Sequence, residues 1–187
     1  MKIKYFLTLI ILIYGFSNVK SQIKDVPGFL DTRWGMTEQE ILDVMKDRVI
    51  KLKARKDYRF NWYATLGMKE YVLDSNKYSV YFLMNNKTNK LEQVNLNIFY
   101  QNIEDNYKSF ESLKKALSLQ YGPPTAEEIK TQPKTNMKIL RAVWFFPSTI
   151  ILYTAWSSNF DKSMLQFIEN NGKKTLKSMG FEKSDSK

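Results

Sequence analysis

Between Leu91 and Tyr100 the chain reads LEQVNLNIFY, and Val94, Leu96 and Ile98 alternate with Gln93, Asn95 and Asn97. A period of two belongs to a β-strand, whose side chains point to opposite faces in turn. One aliphatic and one amide face specify an antiparallel sheet covered on one side and wet on the other. This pattern limits the fold more than any other in the chain. YSVYFLM (78–84) precedes it, and the polar, asparagine-rich NNKTNK (85–90) between them predicts a hairpin. KEYVLD (69–74) reads as another strand. So does VIKLKARK (49–56), in which Ile50, Leu52 and Ala54 alternate with Lys51, Lys53 and Arg55.

A sheet with one apolar face needs a cover, and two helices are predicted to supply it. The first opens in DTRWGMTEQEIL (31–42). Thr37 and Glu40 stand in the spacing of a capping box, where hydroxyl and carboxylate satisfy backbone N–H groups that have no partner within the helix. Ile41, Leu42, Met45 and Val49 follow at helical spacing, Met36 and Ile41 suit a hydrophobic staple, and Gly35 fits an unusual backbone angle at the entry. The second helix carries Phe110, Leu113, Leu117 and Tyr121 on one stripe, with Asn106 or Ser109 as candidate caps, and ends at YGPP. Beyond it, TQPKTN (131–136) reads as a loop. MKILRAVWFF and TIILYTAW form a hairpin around Pro147–Ser148, and MLQFIE (164–169) is a further strand. The expected fold is therefore α+β: tandem helix–antiparallel-meander units with both helices on one face. Residues 22–170 form a single domain of two halves, 29–103 and 104–170. Residues 171–187 read as a basic tail, partly helical or disordered.

The N-terminus predicts the compartment. Lys2 and Lys4 precede a twelve-residue apolar core, YFLTLIILIYGF, and the polar SNVKSQ follows. That is the anatomy of a secretory signal peptide over residues 1–21, too short for a spanning helix of about 20 residues. Export to the periplasm or medium is expected. Removing this segment takes three lysines and no acids from a formal charge of +10, leaving +7. The positive balance is mostly lysine, a hydrated point charge without arginine's planar fork, which argues against nucleic acid as the partner. The chain has no cysteine, so no disulfide staples the domain and no lipid-anchoring cysteine follows the leader.

With both helices placed, a resemblance emerges. WGMTEQEIL (34–42) resembles the helix opening of the outer-membrane assembly lipoprotein BamE family, in which Gly-Met, then Ser or Thr, precedes an acidic or amide residue and an aliphatic one. The tandem helix–meander order is similar to that of the β-lactamase inhibitor protein. With the later YG-P (121–123), it also resembles other exported bacterial helix-plus-meander proteins of uncharacterised function. The resemblance implies a fold used for protein–protein contact. It departs from the BamE pattern at the absent lipid anchor and at KDRVIK (46–51) after the first helix.

The chemical inventory points away from catalysis. There is no histidine and no cysteine, which removes the commonest general base, nucleophiles and zinc ligands. SLKK (112–115) matches Ser-x-x-Lys but lies within an amphipathic helix. Seven scattered glycines form no phosphate-cradling loop. Glu104/Asp105 and Glu127/Glu128 read as solvated borders of the second helix. No cofactor and no metal is expected. What remains is a surface. If Ile50, Leu52 and Ala54 face the helices with Val94, Leu96 and Ile98, then Lys51, Lys53, Arg55, Gln93, Asn95 and Asn97 share the opposite face, joined by Ser79, Tyr81 and Arg141. A basic, aromatic, open sheet face suits an acidic protein or an anionic envelope polymer. The expected function is an exported, non-enzymatic interaction module. The alternatives are a cell-envelope assembly accessory and, more remotely, an enzyme using carboxylates and lysines.

Overall fold

The structure, a computed structural model, describes residues 25–99, 103–157 and 162–181. Residues 1–21, where a signal peptide is expected, and residues 182–187 lie outside the described residues. Helix α1 (Glu38–Met45) precedes strands β1 (Ile50–Tyr58), β2 (Trp62–Leu73), β3 (Asn76–Asn85) and β4 (Leu91–Phe99). Helix α2 (Ile103–Tyr121) precedes β5 (Ala126–Thr131), β6 (Lys138–Phe145), β7 (Thr149–Ser157) and β8 (Lys162–Glu169). These strands form one antiparallel sheet in the order β1-β2-β3-β4-β8-β7-β6-β5. The fold is α+β, with the sheet predominating. No helix among the described residues is long and apolar enough to cross a membrane.

The register turns the opening alternation into two chemically different faces. Cross-strand partners share a face, so Leu66, Phe82, Val94, Phe167, Ile151 and Trp144 form one row across six strands. That row joins a single buried cluster with Ile41 and Met45 of α1 and Phe110, Leu113 and Leu117 of α2. Fully burying each such side chain contributes roughly 1.5–3 kcal/mol. Phe110 stacks on Tyr153 with ring centroids 4.8 Å apart.

The stretch 31–42 performs the structural tasks its residues imply. Thr37 Oγ1 accepts from the Glu40 N–H at 3.3 Å, and the Thr37 N–H donates to Glu40 Oε2 at 2.7 Å, completing the capping box. The Thr37 N–H, with its hydroxyl, holds the Glu40 carboxyl below its ordinary pKa. Gly35 has φ +80°, and a Cβ there would meet nothing, so its requirement is conformational. Gly35 N–H donates to Leu91 O, and Leu91 N–H donates to Met36 O, at 2.9 and 2.8 Å. The Trp34 indole N–H donates to the buried Thr149 Oγ1 at 2.8 Å. One short segment thus ties the start of β4 to the start of β7.

Three expectations need correction. Residues 126–131, including Glu127 and Glu128, form edge strand β5, not a helix border. Strand β2 begins at Trp62, well before KEYVLD, because register shifts at Tyr63/Leu66 and Met68/Tyr71 break the period of two. Helix α2 begins at Ile103, so Asn106 and Ser109 lie inside it and do not cap it. Its stripe and its end are as expected: Phe110, Leu113 and Leu117 are buried, and Gly122 adopts φ +82°.

Residues 170–181 are not a free tail. They fold back over the sheet face opposite the helices, where Phe181 is 3 % exposed among Val143, Ile150, Leu152 and Ile168. Leu176 and Met179 pack beside it. Part of the face expected to be wet is therefore a second, smaller core.

Candidate binding face

On the face opposite the helices, Ile50, Gly67, Tyr81, Asn95, Gln166, Leu152, Val143 and Ala126 form a row across all eight strands. A neighbouring row runs Ser79, Asn97, Met164, Thr154, Arg141 and Glu128. Tyr81, Asn95, Asn97 and Arg141 therefore share this face, as the sequence suggests. Gln93, opposite Ile168, joins them.

The basic strand does not follow. Ile50 pairs with Gly67 in the row of Tyr81, whereas Lys51 pairs with Leu66 in the row of Val94. Lys51 is thus on the helix side at the sheet edge, the reverse of the expected assignment. The reason is Gly67: Leu52 lies over the space a Cβ would take there, 3.1 Å from it, so the aliphatic residues of β1 fill a gap on the other face. Lys53 and Ala54 are exposed. Arg55 stacks over the Tyr63 ring at 4.0 Å and donates to Asp57 Oδ1 at 2.8 Å and to Asn86. Tyr63 belongs to the helix-side core, so Arg55 also leaves the proposed set. A register irregularity between Lys51 and Lys56 then brings a different lysine forward. Lys56 Nζ lies 4.1 Å from the centre of the Tyr81 ring and donates to its hydroxyl at 2.9 Å.

Burial removes further members. Gln93 and Asn95 are 2 % and 5 % exposed, and Gln93 Nε2 donates to Asn95 Oδ1 at 2.6 Å. Gln166 Nε2 also approaches Asn95 Oδ1, at 3.3 Å. These amides satisfy one another inside the face. Arg141 donates to Glu128 Oε1 at 2.7 Å and to Met179 O at 2.6 Å, and stacks 4.2 Å above the Phe181 ring. It thus links edge strand β5 to the C-terminal segment. At the other end of this segment, Lys174 lies 5.9 Å from the Trp62 ring, whose indole donates to Glu92 Oε2 at 2.9 Å. Burial lowers the Lys174 pKa; burial and then the charge of Glu92 raise that of Glu169.

What stays accessible is a hollow of about 400 Å³ beside the covered region. Tyr81, Ser79, Asn97 and Met164 line it together with Lys56, Trp156 and Lys162. Lys162 Nζ lies 5.0 Å from the Trp156 ring centre. Two lysine–aromatic pairs thus flank a patch of hydroxyl and amide, with no carboxylate among the described lining residues. Each ammonium gains from the electron-rich ring face beneath it, roughly 0.5–1 kcal/mol at an exposed site. The site suits an anion attached to an apolar or ring-shaped body.

No protein-family model, curated protein or solved structure matches the chain.

Sequence reasoning found Tyr81 and Asn97 but missed Lys56, Trp156 and Lys162. The signal for Trp156 was present, since Thr154 and Trp156 keep the phase of Arg141 across the hairpin. Lys56 had no such signal, because the β1 irregularity has no glycine or proline to mark it.

Proposed function

We propose that the chain is an exported, non-enzymatic interaction module. It binds an acidic protein or anionic envelope polymer through the sheet face opposite the helices. The observation that carries this reading is the hollow itself: Lys56 over Tyr81 and Lys162 beside Trp156, on the part of the face that residues 170–181 leave accessible. Aromatic platforms with adjoining cations are the composition of an interface core built for a negatively charged partner. In this reading the two halves, 29–103 and 104–170, are tandem helix–meander units of the BamE and β-lactamase-inhibitor type. Support comes from the element order, a helix then four strands, given twice. Both helices also contribute to one core cluster. The leader at 1–21 assigns the module to the periplasm or medium.

The test compares the mature chain with Lys56→Glu/Lys162→Glu as bait in envelope extract from the source organism. The double variant is expected to lose a partner that wild type retains, at an unchanged melting temperature. Lys51→Glu/Lys53→Glu, reversed at the edge, is expected to retain it. Equal capture by the Lys56/Lys162 variant refutes the assignment.

A further inference from the structure

The helix side of the sheet carries a separate cleft of about 640 Å³, well within the size range of small-molecule sites. It opens between the N-terminal segment at Val26–Leu30, the β2 end at Tyr71 and Leu73, and the last turn of α2 at Leu117 and Tyr121. Its walls are aromatic. Phe29 meets Tyr71 edge-on at 5.4 Å and Phe167 at 5.0 Å, while Tyr121 meets Phe146 at 5.7 Å. Phe29, Phe146 and Phe167 are buried, so the walls are anchored in the core and not mobile surface rings. The rim is shaped by Gly28, where a Cβ would fall 2.0 Å from the Thr32 carbonyl oxygen. No other residue lets the segment fold so closely.

Two features select the ligand. The first is charge. The described lining residues include no lysine or arginine, and the one carboxylate among them is already occupied: Asp25 accepts from the Ser148 N–H at 2.9 Å and the Ser148 hydroxyl at 2.5 Å. Burial raises the Tyr71 and Tyr121 pKa values, so both phenols stay protonated, and an anionic headgroup would find no cation among the described lining residues. The second is the pair of phenols. Neither hydroxyl hydrogen-bonds to another described residue, and both rings line the cleft, Tyr71 against Phe29 and Tyr121 against Phe146. A half-buried O–H without a protein acceptor is a donor available to a ligand.

We propose that this cleft binds an uncharged, flat apolar molecule bearing a carbonyl or ether oxygen. The rings of Phe29, Phe146 and Phe167 hold its body, and Tyr71 and Tyr121 donate to its oxygen. The site lies on the opposite side of the sheet from the lysine–aromatic hollow and is independent of it.

The probe is prodan, an uncharged naphthalene with a ketone whose emission reports its surroundings, titrated into the mature chain. Saturable one-to-one binding is expected, and the bulkier side chain of Leu73→Trp is expected to abolish it. The double variant Tyr71→Phe/Tyr121→Phe keeps the apolar walls and is expected to bind about tenfold more weakly, with blue-shifted emission. Lys56→Glu/Lys162→Glu is expected to bind prodan as wild type does. Absence of saturable binding, or its survival in Leu73→Trp, overturns the site. Undiminished affinity in the double Tyr→Phe variant, or tighter binding of an anionic anilinonaphthalene sulfonate than of prodan, overturns the ligand class.

Discussion

Phe181→Ala tests whether the C-terminal segment is part of the fold. The ring is 3 % exposed, sits among Val143, Ile150, Leu152 and Ile168, and has the Arg141 guanidinium 4.2 Å above it. Truncating a phenylalanine in a fully enclosed core costs about 3–5 kcal/mol. Here the loss is limited by an escape route: residues 170–181 can lift off while the sheet and helices stay folded. Lifting off exposes the four aliphatic side chains but frees the backbone of the segment, and that entropy offsets most of the cost, so the limit lies below the enclosed-core value. We expect about 2–3 kcal/mol, and a melting temperature lower by about 5–10 °C for a domain of this size. Calorimetry measures the first effect. Limited trypsin digestion measures the second, because Lys173, Lys174 and Lys177 lie in the segment and become cleavable once it lifts. An unchanged melting temperature together with wild-type cleavage would refute the account of this segment as a cover.

Thr37→Ala removes one side of the capping box and is expected to cost about 1 kcal/mol in denaturant unfolding, with partner capture unaffected. Ser148→Ala tests the tie between β7 and the N-terminal segment. The Ser148 hydroxyl, with backbone N–H groups, holds Asp25 below its ordinary pKa against a smaller opposing effect of burial. A carboxyl lowered in the folded state stabilises it above the unfolded pKa, and that contribution is lost as pH falls through the folded value. The wild-type advantage over Ser148→Ala should therefore be full near neutral pH and shrink as pH falls below about 4. Melting curves of both proteins from pH 7 to pH 2 check this, and an advantage growing toward acid contradicts it.

The parts legible in the sequence were those governed by short-range rules. The capping box, the α2 stripe and the β3–β4 hairpin each declare themselves within a few residues, and each is present. The faces of β1 were misassigned because the alternation of Ile50 and Lys51 indicates two faces without saying which one meets the helices. That choice was settled by Gly67 on the neighbouring strand, a residue seventeen positions away. Strand β5 was missed because AEEIKT is an edge strand with Ile129 exposed, so little burial shapes its composition. Gln93 and Asn95 look like wet residues to any local rule. Their burial depends on each other and on β8, where Gln166 approaches Asn95 and Ile168 lies opposite Gln93.

The pairing of β4 with β8 has a consequence for how the chain is made. Residues 93–99 pair with residues 162–168, so the middle of the sheet joins an early strand to the last one. As the chain emerges from its N-terminus, β1 to β4 can form a meander at once, but β4 then presents an unpaired edge until β8 arrives. Such edges recruit other strands, and long-range closure is slow. The protein is therefore most vulnerable to misassembly late in its own synthesis, and a factor that shields the β4 edge would raise its yield more than one that speeds the hairpins.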